Sequence, residues 1–179
     1  GLSDNERRGL KTAEEESIRM RVLLDDLLDL SRGDCGQLQL NQEVVDLGPF
    51  VNKVADLSRS NLTGHRLDVV DNIPHDQNSE ALADPGRLQQ VLLDLIDNAA
   101  KYSAEESLIT LLLHPHQDGI AIDVKDEGIG IPDSDLAHIF KRFHRAKNST
   151  GSSGTGLGLS VVALLMSAMG GQVHVQSKE

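Results

Sequence analysis

The first part of the chain carries apolar residues at the spacing of one face of an α-helix. Between residues 12 and 32 they recur three or four positions apart, with charged residues between them. Acidic residues crowd the first turns, where they complement the helix dipole, and Gly33 is suited to end the helix. So wide an apolar stripe needs a partner, either the core of this chain or the seam of a helix-bundle dimer, and the seam is favoured. The stripe comprises Ile18, Met20, Leu23, Leu24, Leu27, Leu28 and Leu30.

Beyond a short link, the remainder of the chain alternates between helical and strand patterns. Asp84-Pro85 is a strong helix start, because Asp caps well and Pro fits the first helical position. Helices interspersed with antiparallel-looking strands predict a two-layer α/β sandwich. The predicted helices cover residues 49–59, 84–102, 133–140 and 157–169, and the predicted strands cover residues 66–70, 108–113, 120–126 and 172–176.

Composition restricts the classes of function. The formal net charge of −11 argues against a nucleic-acid-binding surface, although local cations and backbone N–H groups can still hold a phosphate. Cys35 is the only cysteine, so an intrachain disulfide is excluded. No apolar run approaches the ~18 residues of a membrane span, and no signal peptide is recognisable. These features predict a cytoplasmic location and leave open whether a parent protein is anchored in a membrane.

Three residues of the third predicted helix could serve a metal and a phosphate. Asp94 and Asn98 lie four apart and therefore share a face, and Lys101 lies three residues further on. Carboxylate and amide oxygens are hard ligands suited to Mg²⁺, and an ammonium suits the phosphates that the ion bridges. The alternative is an ordinary solvated helix face.

The strand over residues 120–126 ends in a carboxylate and two glycines. The period of two places Asp126 on the inward side, where it requires a donor. An adenine amino group is one such donor and a backbone N–H is the other. Gly128 and Gly130 allow the backbone to approach a ligand closely.

The glycine-rich segment 154–160 opens the last helix. Free N–H groups at a helix start bind phosphate well. The segment is not a Walker A loop, because no Lys-Ser/Thr pair follows the glycines, and it does not fit a dinucleotide fingerprint, because no strand precedes it. A flexible linker is the alternative, which the strongly apolar helix behind the segment disfavours.

Together these segments resemble the four nucleotide boxes of the histidine-kinase branch of the GHKL (Bergerat-type) ATPases, whose fold is shared with DNA gyrase and mismatch-repair ATPases. DLIDNAAKYS resembles the N box, DEGIGIP the G1 box, IFKRFHR the F box and GTGLGLS the G2 box. The resemblance implies an α/β sandwich with a mixed sheet and helices on one face, preceded by one long amphipathic helix. It also implies ATP and Mg²⁺ as cofactors.

The resemblance assigns roles to particular residues. Asn98 would hold Mg²⁺ and Lys101 would contact phosphate, while Tyr102 would pack beside the adenine and Asp126 would receive its amino group. The remaining assignments are pocket shape (Gly128, Gly130, Ile131), lid anchors (Phe140, Phe143), phosphate-reaching cations (Arg142, Arg145) and the phosphate-wrapping segment (Gly154, Thr155, Gly156, Leu157, Gly158).

The leucine-rich first helix resembles the second helix of a dimerisation and phosphotransfer hairpin. The implied division is 1–33 as an incomplete hairpin, 34–46 as a linker and 47–179 as the ATP-binding catalytic domain. The implied partners are the histidine-bearing helix of the parent kinase, a response regulator and a second copy in a parent homodimer, with no nucleic acid.

The sequence departs from the family pattern at three places. None of its seven histidines has the setting of the phosphoacceptor, so the chain is expected to bind ATP without phosphorylating itself in cis. The Gly-Thr turn and final strand that follow GGQVHVQS in the family are not present, which predicts an exposed sheet edge. Asp94 stands where the family usually has Asn, and it could act as a general base for ATP hydrolysis or bond to metal-bound water.

Four functions are therefore compared. The leading one is a protein-histidine kinase that transfers the γ-phosphoryl of Mg-ATP to a histidine outside this chain. The others are a nucleotide-binding interaction module without turnover, a GHKL ATPase and a Ser/Thr kinase on the same fold.

Overall fold

The computed structural model describes residues 3–60, 62, 64–74, 76–149 and 154–178, and these form two compact units divided between Leu38 and Gln39. The first unit contains helix α1 (Asp4–Asp34), which is longer than the predicted 12–32. Its early start has a local cause: the Ser3 side chain accepts the Glu6 N–H while the Glu6 carboxylate accepts the Ser3 N–H. Seven large apolar side chains of α1 are each at least 44% exposed: Leu10, Ile18, Met20, Val22, Leu24, Leu27 and Leu28.

The second unit is built on a three-stranded mixed sheet. Its strands are β2 (Arg66–Asp71), β4 (Leu108–His116) and β5 (Gly119–Lys125). The central strand β4 runs parallel to β2 and antiparallel to β5, with Leu111 opposite both Val69 and Val124. A separate antiparallel pair joins β1 (Glu43–Asp46) to β3 (Glu80–Ala83), and β3 was not predicted from the sequence.

Helices cover one face of this sheet and enclose the core. They are α2 (Leu47–Arg59), α3 (Pro85–Tyr102), the short α4 (Asp133–Leu136) and α5 (Gly158–Ala168). Alternate residues of β4 are fully buried, as the period of two requires, and they pack with residues of α2 and α3. The predicted two-layer α/β sandwich with a mixed sheet is confirmed. Its centre is formed by Val51, Val54, Leu92, Ile96, Ile109, Leu111 and Leu113.

Helix α3 begins where the sequence predicts. The Asp84 carboxylate accepts the Arg87 N–H at 3.0 Å, and its second oxygen accepts the Asn41 N–H at 2.8 Å. Partial burial acts to raise the pKa of Asp84, but these backbone donors outweigh it and hold that pKa below its ordinary value. The cap therefore also ties the segment before β1 to the start of α3.

Some element predictions are wrong in detail. No strand forms over residues 172–176; the side chains alternate between half-buried and exposed, but the segment belongs to neither sheet. The helix predicted over 133–140 ends at Leu136 and continues as separate turns, with His138 N–H bonded to Asp135 O and Lys141 N–H bonded to His138 O. Within the described part of the chain, no helix is both long enough and apolar enough to span a membrane.

Candidate functional site

The C-terminal half of α3 presents polar side chains on the face opposite its core residues. Leu92, Ile96 and Ala99 are buried against the sandwich. Asp94 and Asn98 are partly exposed and Lys101 is exposed. The predicted grouping of a carboxylate, an amide and an ammonium on one helical face is therefore present.

The loop after β5 is attached directly to the end of α3. The Ile129 N–H donates to the Tyr102 carbonyl at 3.1 Å, and Ser103 and Gly128 form an isolated antiparallel bridge. A Cβ added at Gly128 would lie 2.8 Å from the Tyr102 carbonyl oxygen and 2.7 Å from the Asp126 Oδ1. Glycine is thus required here for contact between the loop and the helix, and the close approach predicted for a ligand is made to the chain's own backbone.

The predicted inward position of Asp126 is wrong, because the residue lies just beyond β5, which ends at Lys125, and it is exposed. Its Oδ1 accepts the Gly128 N–H at 2.8 Å. Of the two donors that the sequence allowed, the backbone N–H is present in the chain itself. The exposed carboxylate remains positioned at the opening of the loop, where a further donor can reach it.

Two polar residues that the sequence analysis missed hold the next part of this loop. Gly130 adopts a left-handed conformation, with φ of +70°, and its carbonyl accepts Asn148 Nδ2 at 3.1 Å. The Ile131 N–H donates to Ser177 Oγ at 2.9 Å. Asn148 lies in a polar segment without periodicity, and Ser177 follows the alternating residues 172–176, so no motif in the sequence marks either side chain as part of the site.

The IFKRFHR segment is hydrogen-bonded to the glycine-rich segment 154–160. The Phe143 N–H donates to the Gly156 carbonyl at 2.8 Å. Phe143 has φ of +60°, which is rare for an aromatic residue, and its side chain is 67% exposed. Phe140 is only partly exposed.

Lys101 connects the end of α3 to the same glycine segment. A Cβ added at Gly154 would clash with its Nζ, and this Nζ lies 4.9 Å from the centroid of the Tyr102 ring, within cation–π range. Four segments that are distant in sequence are therefore linked around the end of α3. They are the α3 terminus, the loop 126–131, the segment 139–145 and the segment from Gly154 to Gly158.

The other predicted phosphate contacts occupy different settings. Arg142 is exposed, whereas Arg145 donates from its guanidinium to the Ser149 carbonyl at 3.0 Å. Thr155 Oγ1 accepts the Leu157 N–H at 3.3 Å, which shapes the turn into α5. Leu157 is 1% exposed and therefore belongs to the core. Residues 150–153, which precede the glycine-rich segment 154–160, lie outside the described residues.

The junction at Gly156 leads to a stability prediction. Gly156 has φ of +72°, and a Cβ there would lie 2.7 Å from the His144 carbonyl oxygen. Gly156→Ala is therefore expected to lower the free energy of unfolding by about 2 kcal/mol or more, from left-handed strain and a backbone clash. Urea denaturation followed by circular dichroism would measure the change.

Gly158→Ala is the matched control for this prediction. A Cβ at Gly158 meets nothing within 4 Å, and Ala favours the helix that begins there. We expect an unchanged or slightly higher free energy of unfolding. An equal loss in both variants would contradict the assignment of Gly156 to a constrained junction.

The chain is similar to a known family of ATPases and to sensor kinases. The family described as histidine kinase-, DNA gyrase B- and HSP90-like ATPase matches residues 83–179. The sensor histidine kinase WalK of Bacillus subtilis is 34% identical over 96% of this chain, and the aerobic respiration control sensor protein ArcB of Escherichia coli is 28% identical over 99%. The chain spans only 28% and 23% of the lengths of these two relatives.

Solved structures of the same kind resemble the chain in three dimensions. Full-length ShkA in complex with AMPPNP superposes with a TM-score of 0.76 and 28% identity, covering 99% of this chain and 38% of ShkA. The Acinetobacter baumannii histidine kinase AdeS superposes with a TM-score of 0.69 and 28% identity, covering 94% of this chain and 75% of that chain.

Proposed function

Since this chain belongs to the family of histidine kinase-, DNA gyrase B- and HSP90-like ATPases, we propose that it binds Mg-ATP and donates the γ-phosphoryl to a histidine outside these 179 residues. The observation that carries the proposal is the convergence of four distant segments around the end of α3. They bring together a carboxylate at Asp126, a cation at Lys101 and glycine-rich backbone at Gly154 and Gly156. The carboxylate complements the amino group of an adenine, the cation complements a phosphate, and the glycine-rich backbone can form the turn that wraps the phosphates.

The residues of α3 fit a magnesium ion held jointly with phosphate. The described residues contain no group of three His, Cys, Asp or Glu side chains that could hold a metal by themselves. Mg²⁺ does not require such a group, because it commonly takes one or two protein oxygens and completes its octahedron with water and substrate phosphates. Asn98 would supply the protein oxygen, and Asp94, one turn earlier on the same face, would accept from a water on the ion.

The base and the phosphates of the nucleotide would lie on opposite sides of Lys101 and Tyr102. On the base side, Tyr102 would pack beside the adenine, Asp126 would accept its amino hydrogen, and Gly128, Gly130 and Ile131 would shape the pocket. On the phosphate side, Lys101 would meet the phosphates beside Gly154. Arg142 and Arg145 would add positive charge from the segment anchored by Phe140 and Phe143, and Thr155, Gly156, Leu157 and Gly158 would form the turn that wraps the phosphates.

Transfer of the phosphoryl group depends on positioning and charge stabilisation rather than on covalent chemistry by the protein. Bound Mg²⁺ would neutralise charge on the phosphate oxygens. Lys101 and the arginines would orient the terminal phosphate toward the acceptor. The acceptor imidazole would attack the γ-phosphorus. The bond between that phosphorus and the β–γ bridging oxygen would break, and ADP would leave.

The partners of the reaction follow from the same proposal. The apolar face of α1, exposed in its own unit, suits the seam of a helix bundle in a parent homodimer. We propose that residues 1–33 form the second helix of the histidine-bearing hairpin, 34–46 the linker and 47–179 the catalytic domain. The phosphohistidine would then pass its phosphoryl group to a response regulator.

Phosphotransfer in trans tests the function. The chain is mixed with γ-labelled ATP, Mg²⁺ and a histidine-containing helix hairpin from the parent protein. We expect acid-labile, base-stable label on the hairpin and none on the chain itself. Nucleotide binding without transfer would instead favour an interaction module, and release of labelled phosphate without a labelled hairpin would favour an ATPase.

Asp94 offers a second activity that can be separated from phosphotransfer. If its carboxylate acts as a general base for water, Asp94→Asn should reduce slow ATP hydrolysis by about 100-fold or more, because general-base catalysis contributes roughly 10²–10⁴. If it only bonds to metal-bound water, hydrolysis should be nearly unchanged. Measuring phosphate release at saturating Mg-ATP distinguishes the two roles, and equal rates would exclude the general base.

A further inference from the structure

Asp135 is a buried carboxylate outside the predicted set of nucleotide-binding residues. It lies on the short helix α4, and the residue is 4% exposed. A buried carboxylate is costly unless donors satisfy it, so its contacts indicate what it stabilises. Oδ2 accepts the backbone N–H of Lys147 at 2.9 Å, whereas Oδ1 lies 3.9 Å from His144 Nε2. The second distance is too long for a hydrogen bond, so the Lys147 N–H is the stronger partner of the two.

The Lys147 N–H begins a compact turn that local hydrogen bonds also hold. Residues Lys147–Ser149 form a 3₁₀ turn, with the Ser149 N–H and hydroxyl both donating to the Ala146 carbonyl. Ser149 is 6% exposed. The Asp135 carboxylate therefore holds the start of the turn, and the Ser149–Ala146 bonds hold its end. Together these contacts fix the orientation of the Asn148 side chain.

Asn148 transmits this position to the proposed base pocket. Its Nδ2 donates to the Gly130 carbonyl at 3.1 Å. The residues on either side of Gly130 are also bonded: Ile129 N–H to the Tyr102 carbonyl and Ile131 N–H to Ser177 Oγ. The Gly130 carbonyl is thus the point at which the turn 147–149 reaches the loop that begins at Asp126.

We infer that Asp135 is a positioning residue for nucleotide binding, acting through the Lys147 N–H and the Asn148 amide to set the conformation of the loop 126–131. The inference rests on the proposed function. Asp135 is not itself one of the proposed nucleotide-binding residues. Its carboxylate orders a turn, and the turn orders the loop that carries Asp126 and Gly130.

Affinity measurements on variants test the inference. Asp135→Ala and Asn148→Ala are each expected to weaken Mg-ATP binding about tenfold, as loss of a hydrogen bond to a charged or loop-ordering group predicts. Since both act through one path, the double variant should bind no more than about twofold more weakly than the weaker single variant. Asp135→Asn should restore most of the affinity, because its amide oxygen can still accept the Lys147 N–H. Asp133→Asn, an exposed carboxylate on the same helix, is the matched control and should bind as the wild type does.

Hydrogen exchange without nucleotide separates this inference from the proposed function. In Asp135→Ala and Asn148→Ala, the amides of Ile129 and Ile131 should exchange at least several-fold faster than in the wild type. If these amides accelerate but the wild type binds no ATP, the positioning path stands and the proposed function fails. If the wild type binds ATP, and the two alanine variants keep its affinity and its exchange rates, the positioning role is wrong. Additive losses in the double variant would also overturn it.

Discussion

Replacing Asn98 by alanine is expected to abolish Mg-dependent ATP binding. Asn98 provides the amide oxygen between Asp94 and Lys101 on their shared polar face, and that face is the place where the proposed site can hold Mg²⁺. Removing even an outer partner of a metal site costs about 10–100-fold in affinity, so loss of the ligand itself should cost about 100-fold or more. Titration calorimetry with ATP in the presence of Mg²⁺ would measure the loss.

Two controls restrict the interpretation of this loss. In excess chelator, wild type and Asn98→Ala should bind ATP equally weakly, because the proposed defect acts through the ion. Gln89→Ala removes a partly exposed amide near the other end of α3 and should leave the affinity unchanged. Because Asn98 is partly exposed, its variant should unfold within about 0.5 kcal/mol of the wild type. An unchanged Mg-ATP affinity would mean that the metal ligand lies elsewhere.

The sequence predicts much of the fold because several signals agree at each element. For α3, a capping Asp84, Pro85 at the first helical position and an apolar face of period 3.6 all indicate the same helix. β4 begins with the apolar run LITLLL, which is typical of a strand in a core, and its alternate residues Ile109, Leu111 and Leu113 are buried. By contrast, β3 is four residues long, and its strand character depends on pairing with β1, which a local pattern does not contain.

Errors at other elements have the same physical origin. Residues 172–176 alternate as a strand does, but a strand also needs a neighbour in the sheet, and alternation alone does not provide one. Leu57 lies three residues after the buried Val54, a spacing that would place its side chain inward. It is nevertheless 47% exposed, because the buried face of α2 continues through Ala55 and Ser58. α4 ends at Leu136, where single turns replace the helix, and the local apolar spacing does not show this change.

The candidate site likewise contains features that the sequence predicts and features that it does not. Residues within one helix, such as Asp94, Asn98 and Lys101, can be grouped from their spacing alone. The contacts Tyr102–Ile129 and Phe143–Gly156 join segments 27 and 13 positions apart, and only the folded chain defines them. Gly128 shows this difference. The sequence predicts that its backbone approaches a ligand closely, whereas in the structure the lack of a Cβ makes room for the Tyr102 carbonyl.

Asp126→Ala is the second substitution expected to abolish ATP binding, and its effect has two separable causes. The Asp126 Oδ1 accepts the Gly128 N–H at 2.8 Å, so alanine would loosen the loop. It would also remove the proposed acceptor for the adenine amino group. Loss of a hydrogen bond to a charged group corresponds to about 10–100-fold in affinity. Because Asp126→Ala loses both the bond to Gly128 and the proposed bond to adenine, its affinity loss should lie at the upper end of that range.

Asp126→Asn separates the loop from the base. Its amide oxygen can still accept the Gly128 N–H, but its NH₂ group would then face the adenine amino group, donor against donor. We therefore expect Asn to preserve slow exchange of the Ile129 amide while failing to restore ATP affinity. Because guanine carries a carbonyl where adenine carries the amino group, the ratio of ATP to GTP affinity should fall by about tenfold or more.

The matched control for both variants is Asp123→Ala, which removes a carboxylate from β5 that is bonded to His114 and Lys125 rather than to the loop. Its ATP affinity and ATP-to-GTP ratio should equal those of the wild type. If Asp126→Asn restores full ATP affinity, the carboxylate acts only by holding Gly128, and the base is recognised by another group. If Asn lowers ATP affinity without altering the ATP-to-GTP ratio, the charge matters but the contact with the amino group is wrong. A lowered ratio with an intact loop would identify Asp126 as the residue that selects adenine.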